Sequence, residues 1–375
     1  MGGLTKEKEG KQADIQREVE GRSFSKESTL ITKGVLVLLL LFHHLFYDSA
    51  VLDVYDVVTI SSNMTFLGEI VKYGNICIAG FAFLSAFGIT RNLKKSQDRT
   101  SKGYLKAVCR RILKLESSIW FVFLLTVIYK KLALGESFKL TYVGAENKFE
   151  PLYMLIDMCG LATYFGTPYM NVTWWYLSFA VMLIAAMPIL YVLYEKYRYA
   201  LIPAGLLLPV VIFKGDVYFA SLLPAVILGI AFAYEDWFEK LEQSAFAWQH
   251  RVLQIVVCIA LFILSFELCA NIREIYCYPF AFLLAYVAYA YLAKVPLLRS
   301  VLKFVGEHAT NIFLVHTFIY FYFYSDFIYS FRYSWCILLA LLLVSLIVSV
   351  VIELLKKLAG YEWVINKILT KVEKI

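Results

Sequence analysis

The sequence predicts an all-α, polytopic membrane protein, and two features of its composition support this prediction. Hydrophobic residues make up 61% of the 375 residues and the mean hydropathy is +0.68, whereas only about half of a soluble globular domain is apolar. The apolar residues also occur in blocks of about 17–25, the helix length needed to cross a hydrocarbon layer roughly 30 Å thick. The strands of membrane barrels are about 9–11 residues long, so the block length excludes a barrel.

The chain is predicted to begin with a short polar tail that is followed by one transmembrane domain. Residues 1–27 are polar, mixed in charge and without the apolar stretch of a secretion signal, so we expect a flexible cytosolic tail. Residues 28–375 form the predicted transmembrane domain, in which about ten spans follow one another. These candidate spans lie near residues 31–50, 72–92, 115–134, 173–194, 199–214, 217–234, 250–270, 276–294, 310–330 and 334–357.

The distribution of basic residues predicts the orientation of these spans. With a cytosolic N-terminus and ten spans, 28 of the 36 lysines and arginines fall in cytosolic segments. This asymmetry follows the positive-inside rule, so we expect both termini in the cytosol and a multi-pass location in the cell membrane. The net charge is +7, but the charged residues lie between apolar blocks rather than along one soluble face. This distribution argues against a nucleic-acid partner.

Two further features concern the cysteines and the longest outer segment. The seven cysteines show no CxxC spacing and lie mostly in apolar segments, so we interpret them as small hydrophobic residues and predict no metal site. Segment 135–172 is long and rich in tyrosine and phenylalanine, and we expect it to cap an outward cavity as a re-entrant element. No internal repeat is apparent, which weighs against a transporter built from paired halves.

The first span carries the main candidate for chemistry. Lys33 and His44 are eleven residues apart, which returns them to within about 20° of one helix face and separates them by roughly 16 Å. His44 is therefore predicted near the middle of the membrane, where ionisable side chains usually serve a function and imidazole suits proton transfer. The alternative is a packing histidine bonded to a neighbouring helix. Asp48, one turn further on, is either a hydrogen-bond acceptor that fixes the His44 tautomer or an acid at the membrane interface.

The sequence resembles the acyltransferase-3 family of integral membrane acyltransferases. Lys33 and Gly34, followed by an apolar run ending in His44, resemble that family's first-helix signature, although the family more often has Arg at the position of Lys33. That substitution keeps the charge and removes the planar guanidinium fork. Four later stretches are similar to further family motifs and occur in the same order: 79–91, 104–115, 171–178 and 304–316.

The resemblance implies that an acyl donor is taken from the cytosol at a basic stripe. Lys106, Arg110 and Lys114 recur every four residues on one helix face, and charge-assisted hydrogen bonds from such a stripe suit the phosphates of coenzyme A. We assign donor binding to Arg91, Arg110, Arg111, Lys114 and His316. The alternatives are positive-inside topology or lipid headgroup contact for the cations, and a satisfied core histidine for His316.

Aromatic residues beside an outer loop are candidates for the acceptor site. Trp174 and Trp175 begin a predicted span, where most such residues belong to the interfacial aromatic belt and a minority stack on sugar rings. From the resemblance we assign Trp174 and Trp175, together with Ser85 of the second-helix motif, to substrate binding.

The predicted function is an O-acyltransferase that moves an acyl group, expected to be acetyl, from cytosolic acetyl-CoA or another acyl-CoA to a carbohydrate hydroxyl. His44 would act as general base, and Lys33 would position it or anchor the donor. Direct transfer and an acyl-histidine relay stay open, as does the oligomeric state, a homodimer included. One alternative is a transporter or flippase of a lipid-linked saccharide. Another is a different membrane acyltransferase family that acts on proteins or lipids.

Overall fold

The structure is a computed structural model that describes residues 23–59, 63–144, 147–212, 218–244 and 248–374. These ranges contain α-helices, short 3₁₀-helices, one π-helix and isolated bridges, and they contain no β-strand. The prediction of an all-α fold is therefore confirmed.

The α-helices, labelled in chain order, are Lys26–Phe46 (α1), Ser49–Val54 (α2), Met64–Tyr73 (α3), Ile76–Lys95 (α4), Ser101–Ala133 (α5), Pro151–Met158 (α6), Ala162–Phe165 (α7), Trp175–Tyr197 (α8), Leu201–Val211 (α9), Tyr218–Ser221 (α10), Leu223–Tyr234 (α11), Trp237–Ser244 (α12), Trp248–Asn271 (α13), Ala281–Ala290 (α14), Pro296–Glu307 (α15), Ala309–Thr317 (α16), Ser325–Tyr329 (α17), Ser334–Leu358 (α18) and Tyr361–Lys374 (α19).

Short helices of other types connect several of these elements. The π-helix covers Phe318–Phe323 and follows α16 directly. The 3₁₀-helices are Phe138–Thr141, Val172–Trp174, Arg198–Ala200, Glu274–Phe280 and Leu292–Lys294.

Seven helical segments of the described chain are long and apolar enough to cross a membrane. An eighth candidate is the pair Phe219–Tyr234 and Trp237–Ser244, which is bent by 66°, and Ala309–Phe323 is a shorter apolar helix. The predicted spans near residues 199–214, 217–234 and 310–330 thus correspond to helices that are short, bent or continuous with a neighbour. The seven long segments are Lys26–Phe46, Thr65–Lys95, Ser101–Ala133, Val172–Pro209, Gln249–Asn271, Glu274–Lys294 and Ser334–Leu358.

The helices pack into two units. The first unit comprises the described residues up to Leu36, together with Asn75–Phe87 and Tyr199–Glu307. Its core contains a cluster of aromatic rings in which Phe24 stacks on Phe238 with ring centroids 4.4 Å apart. Other members of the cluster are Phe83, Phe87, Phe232 and Tyr289.

Two glycines bring α1 and α15 close together inside the first unit. A methyl group at Gly34 would overlap the backbone carbonyl of Leu302, and a methyl group at Gly306 would overlap the backbone carbonyl of Leu30. Small residues at these positions let the two helix backbones touch, as in other membrane helix pairs. The crossing therefore depends on the absence of both side chains.

The second unit comprises Val37–Gly74, Gly88–Arg198 and the chain from His308 to its C-terminal end. Its longest helix is α5, which Thr100 caps by accepting a hydrogen bond from the Gly103 N–H at 3.1 Å. Helix α19 lies along the N-terminal half of α5, where the hydroxyls of Tyr361 and Ser117 are 2.6 Å apart.

The segment after α5 folds back beside that helix. The indole N–H of Trp120 donates to the carbonyl oxygen of Met158 at 2.7 Å. Trp120 lies thirteen residues before the end of α5 at Ala133, which corresponds to about 20 Å along the helix axis. Helix α6 therefore lies back alongside α5 instead of staying at the level of its end. That segment 135–172 re-enters the membrane stays a prediction.

Candidate active site

Two histidines from distant parts of the sequence meet inside the second unit. His44 lies near the end of α1 and His316 lies near the end of α16, and their ring centroids are 5.2 Å apart with an interplanar angle of 40°. His44 is half-buried, whereas His316 is 0% exposed. The structure thus brings together the two histidines that the sequence singled out separately.

The hydrogen bonds of His316 fix the position of its ring proton. Its Nδ1 lies 3.0 Å from the carbonyl oxygen of Ile312 and 2.9 Å from that of Phe313. Because a carbonyl oxygen only accepts hydrogen bonds, Nδ1 carries the proton and donates it. In the neutral ring, Nε2 therefore holds the lone pair, the arrangement that a general base requires.

A chain of buried hydroxyls leads away from Nε2 of His316. The Thr317 hydroxyl lies 3.2 Å from Nε2 and 2.9 Å from the hydroxyl of Thr173. The Thr173 hydroxyl in turn donates to Oδ1 of Asn171 at 2.9 Å. All four residues are buried, so this polar chain is closed to solvent along its length.

The backbone changes from α-helix to π-helix directly after Thr317 of this polar chain. Helix α16 ends at Thr317, and the π-helix Phe318–Phe323 begins at the next residue. The ring of Tyr320, within the π-helix, stacks near His316 with centroids 6.1 Å apart. π-Helical turns are rare and are frequent at functional sites, so the local geometry agrees with a site at His316.

Asn171 begins the 3₁₀-helix Val172–Trp174 and is 0% exposed. Its Oδ1 accepts hydrogen bonds from the backbone N–H and from the hydroxyl of Thr173. Its Nδ2 has no hydrogen-bond partner among the described residues. A buried donor without a partner costs about 1–3 kcal/mol, and native proteins contain few of them.

A buried carboxylate anchors the segment that precedes Asn171. Oδ2 of Asp157 accepts hydrogen bonds from the Tyr142 hydroxyl at 2.6 Å and from the Met170 N–H at 2.7 Å. Asp157 is 2% exposed, and this burial raises its pKa to about 6 although both hydrogen bonds act in the opposite direction. Burial and the neighbouring carboxylate also raise the pKa of Tyr142.

The predicted basic stripe borders a cavity of about 490 Å³ in the second unit. Arg110, Arg111 and Lys114 of α5 line it together with side chains of α4 and α8. Arg110 and Lys114 are exposed, whereas Arg111 is half-buried and donates to the carbonyl oxygen of Gly88 at 3.4 Å. The size of this cavity and its three cations suit an anionic ligand.

The C-terminal helix α19 contacts the same stripe. Glu373 forms an ion pair with Arg110 at 2.7 Å, and its backbone carbonyl accepts a hydrogen bond from Lys106 at 3.0 Å. Both partners of the ion pair are exposed, so the pair contributes little to stability. It does neutralise one of the cations that the sequence assigned to the donor.

Several predicted site residues have other surroundings, and their proposed roles stay predictions. Lys33 is half-buried and Ser85 is exposed, and both belong to the first unit. Arg91 is half-buried on α4. Asp48 is exposed and caps α2 by accepting a hydrogen bond from the Ala50 N–H at 3.0 Å.

The two predicted substrate tryptophans differ in exposure. Trp174 is 2% exposed, and its indole N–H donates to the carbonyl oxygen of Leu314 at 3.3 Å. Trp175 is half-buried and packs edge-on against Tyr176. Of the two rings, Trp175 is thus the more accessible.

The sequence reasoning missed a polar cluster between α16 and α18. Asn311 donates to the Ser349 hydroxyl at 3.1 Å and to the Glu353 carboxylate at 2.7 Å. Lys356 donates to the same carboxylate at 2.9 Å, and Nδ1 of His308 lies 2.8 Å from the Ser349 hydroxyl. A detectable signal was the spacing of Ser345, Ser349 and Glu353, which recur every four residues in an apolar helix.

It also missed Glu116, a carboxylate inside the α5 span. Glu116 is 4% exposed, and neither of its side-chain oxygens has a hydrogen-bond partner among the described residues. Its side chain lies beside Gly160 of segment 135–172. An acidic residue within an apolar block was the available signal.

Comparison with known proteins gives one clear finding. The family model described as an acyltransferase domain matches residues 31–354, nearly the whole chain. Searches of curated proteins and of solved structures return no match. The matched range includes both histidines, the basic stripe and the Asn171 segment. With its long apolar helices and this match, the chain is a multi-pass membrane protein that belongs to the acyltransferase-3 family.

Proposed function

We propose that this protein transfers an acyl group, expected to be acetyl, from acyl-CoA at the cytosolic face to a hydroxyl of a carbohydrate acceptor. The contact between His44 and His316 is the observation that carries the proposal. Two imidazoles side by side, one of them with a defined lone pair, are suited to accept and return a proton. A flippase of lipid-linked saccharides needs no such pair.

The chemistry follows from the placement of these groups. The acceptor hydroxyl gives its proton to the imidazole pair, with His44 as the base in contact with the acceptor, and its oxygen attacks the thioester carbonyl carbon. The C–S bond then breaks, and the same proton leaves with the sulfur as the coenzyme A thiol. The burial of His316 limits the access of water that would otherwise hydrolyse the thioester.

The donor would be held at the cavity lined by Arg110, Arg111 and Lys114. Its phosphates would pair with these cations, while the pantetheine arm extends along the helices toward His44. We further propose ten spans with both termini in the cytosol, because that arrangement keeps most lysines and arginines on one side of the membrane.

The decisive experiment measures group transfer directly. Purified protein in lipid nanodiscs is incubated with radiolabelled acetyl-CoA and a panel of glycans, and the label is expected to move to a glycan. His44→Ala should lower the transfer rate by about 10²–10⁴-fold, the usual contribution of a general base. Longer acyl-CoA donors tested in parallel identify the preferred acyl group.

The control is His250→Ala, which removes an exposed histidine of the first unit and should leave transfer unchanged. Full transfer by His44→Ala would refute the assignment of the base. Movement of a lipid-linked saccharide across the membrane without any labelled product would favour the flippase instead.

A further inference from the structure

The Asn171 side chain presents a hydrogen-bond donor that the fold leaves unused. Its amide orientation is fixed, because Oδ1 accepts from the Thr173 N–H at 3.0 Å and from the Thr173 hydroxyl at 2.9 Å. The opposite end of the amide, Nδ2, is buried and has no partner among the described residues. Capping of the short helix needs only the oxygen, so it does not explain why an amide is present.

This hydrogen-bond donor belongs to the same polar chain as His316, the imidazole that lies beside the proposed base His44. Thr173 contacts Thr317 at 2.9 Å, and Thr317 contacts Nε2 of His316 at 3.2 Å. One end of the chain therefore carries a lone pair for a proton, and the other end carries an unused N–H. Acyl transfer requires these two functions, because a proton leaves the nucleophile while negative charge develops on the carbonyl oxygen.

The position of Asn171 is also held rigidly from its other side. The preceding residue, Met170, is 3% exposed and donates its backbone N–H to Asp157 at 2.7 Å. Asp157 is itself fixed by the Tyr142 hydroxyl at 2.6 Å. A hydrogen-bond donor that is already held in place stabilises a transition state most, because it does not have to reorganise during the reaction.

We propose that Nδ2 of Asn171 donates a hydrogen bond to the carbonyl oxygen of the acyl group during transfer. As the acceptor oxygen bonds to the carbonyl carbon, the C=O electron pair moves onto the carbonyl oxygen, where the Asn171 N–H stabilises it. The C=O bond re-forms as the C–S bond breaks, and the proton taken from the acceptor leaves with the thiol. Asn171 is thus a catalytic residue for the proposed reaction, on which this inference rests.

Two variants separate this role from a structural one. Asn171→Asp and Asn171→Ser both keep a side-chain oxygen that can cap the short helix, and both lack the amide N–H. Asn171→Asp is expected to lower kcat for acetyl transfer by about 10²–10³-fold, the usual loss for one such donor. The KM values for donor and acceptor should change less than threefold, and acceptor-independent thioester hydrolysis should fall by the same factor as transfer.

Asn63→Asp is the matched control. Asn63 is an exposed N-cap on α3 whose Oδ1 accepts from the Phe66 N–H at 3.1 Å, so this variant should keep full activity. Transfer by Asn171→Asp within threefold of the unsubstituted protein would overturn the proposal. A raised acceptor KM with unchanged thioester hydrolysis would also overturn it, because Asn171 would then recognise the acceptor.

A measurement on the unsubstituted protein keeps the test valid if the variants fold poorly. The infrared stretch of an isotope-labelled thioester carbonyl should shift to lower frequency when acyl-CoA is bound, and the shift should be absent in Asn171→Ser. No shift in the unsubstituted protein would overturn the proposal. If that protein transfers no label at all, the proposed function fails; if it transfers label without a carbonyl shift, only the role of Asn171 fails.

Discussion

Asp157 shows how a single buried side chain links the segment after α5 to the candidate site. It accepts hydrogen bonds from Tyr142 and from the backbone of Met170, next to Asn171. Neither bond involves a cation, so the negative charge is stabilised by hydrogen bonds alone. Burial disfavours the charged carboxylate more than these two hydrogen bonds favour it, and so it raises the pKa of Asp157 to about 6, above the ordinary aspartate value of 3.8.

This shift predicts a pH-dependent stability. The folded state binds the Asp157 proton more tightly than the unfolded state, so its stabilising effect is complete below about pH 4. The stabilisation by protonated Asp157 is lost as the pH rises from about 4 through about 6. Over that range the free energy of unfolding falls by an amount on the order of 2–3 kcal/mol. Thermal unfolding in detergent between pH 4 and pH 7 measures this loss.

Asp157→Asn provides the comparison, because an amide keeps an acceptor oxygen and does not titrate. Its melting temperature should change less over the same pH range than that of the unsubstituted protein. Equal pH dependence in both proteins would assign the effect to other carboxylates, such as Glu116.

The close crossing of α1 and α15 depends on two glycines, each facing a backbone carbonyl of the other helix. Backbone atoms yield less easily than the end of a flexible side chain, so even a methyl group must push the helices apart. Ridges of larger residues would hold the helix axes farther apart, at the usual 8–10 Å or more.

Gly34→Ala and Gly306→Ala are each predicted to destabilise the first unit by about 1–3 kcal/mol, the usual effect of overpacking. The measurement is the melting temperature of the purified protein in detergent. Gly68→Ala is the matched control, because the added methyl group would have no atom within 4 Å among the described residues outside its own stretch of helix. In helix α3 this control should be neutral or stabilising by about 0.5–1 kcal/mol. A loss of stability as large in Gly68→Ala would contradict the packing argument.

At the scale of the whole molecule, the charge distribution predicts which face receives the donor. Arg110 and Lys114 are exposed at a cavity of the second unit, and Glu373 of the C-terminal helix pairs with Arg110. The combined substitution Arg110→Gln and Lys114→Gln should raise the KM for acyl-CoA about tenfold, because charge-assisted bonds to phosphate are lost. Glu373→Gln should lower the KM, since it frees Arg110. Sealed vesicles of defined orientation measure both effects from each face.

Arg332→Gln is the control, because Arg332 is an exposed cation paired with Asp56 in a segment predicted to lie outside. It should leave the donor KM unchanged. An unchanged KM in the double variant would assign the stripe to membrane topology alone.

The sequence by itself determined the class of the protein and singled out His44 and His316 as candidates for its site. Long apolar blocks require helices in a membrane, since only internal hydrogen bonds satisfy the backbone there. The motifs around His44 and His316 also indicated the family, which the match over residues 31–354 confirms. These features are local, so they can be recognised in the linear chain.

Only the tertiary structure decided which polar groups meet. Asn171 and His316 are far apart in the sequence, and the chain of polar contacts between them depends on packing distances that no helical periodicity encodes. The pairing of Asn311 with Glu353, the return of α6 alongside α5 and the unused N–H of Asn171 are of the same kind. Each depends on atoms from separate segments approaching within about 3 Å, a requirement of packing rather than of local sequence.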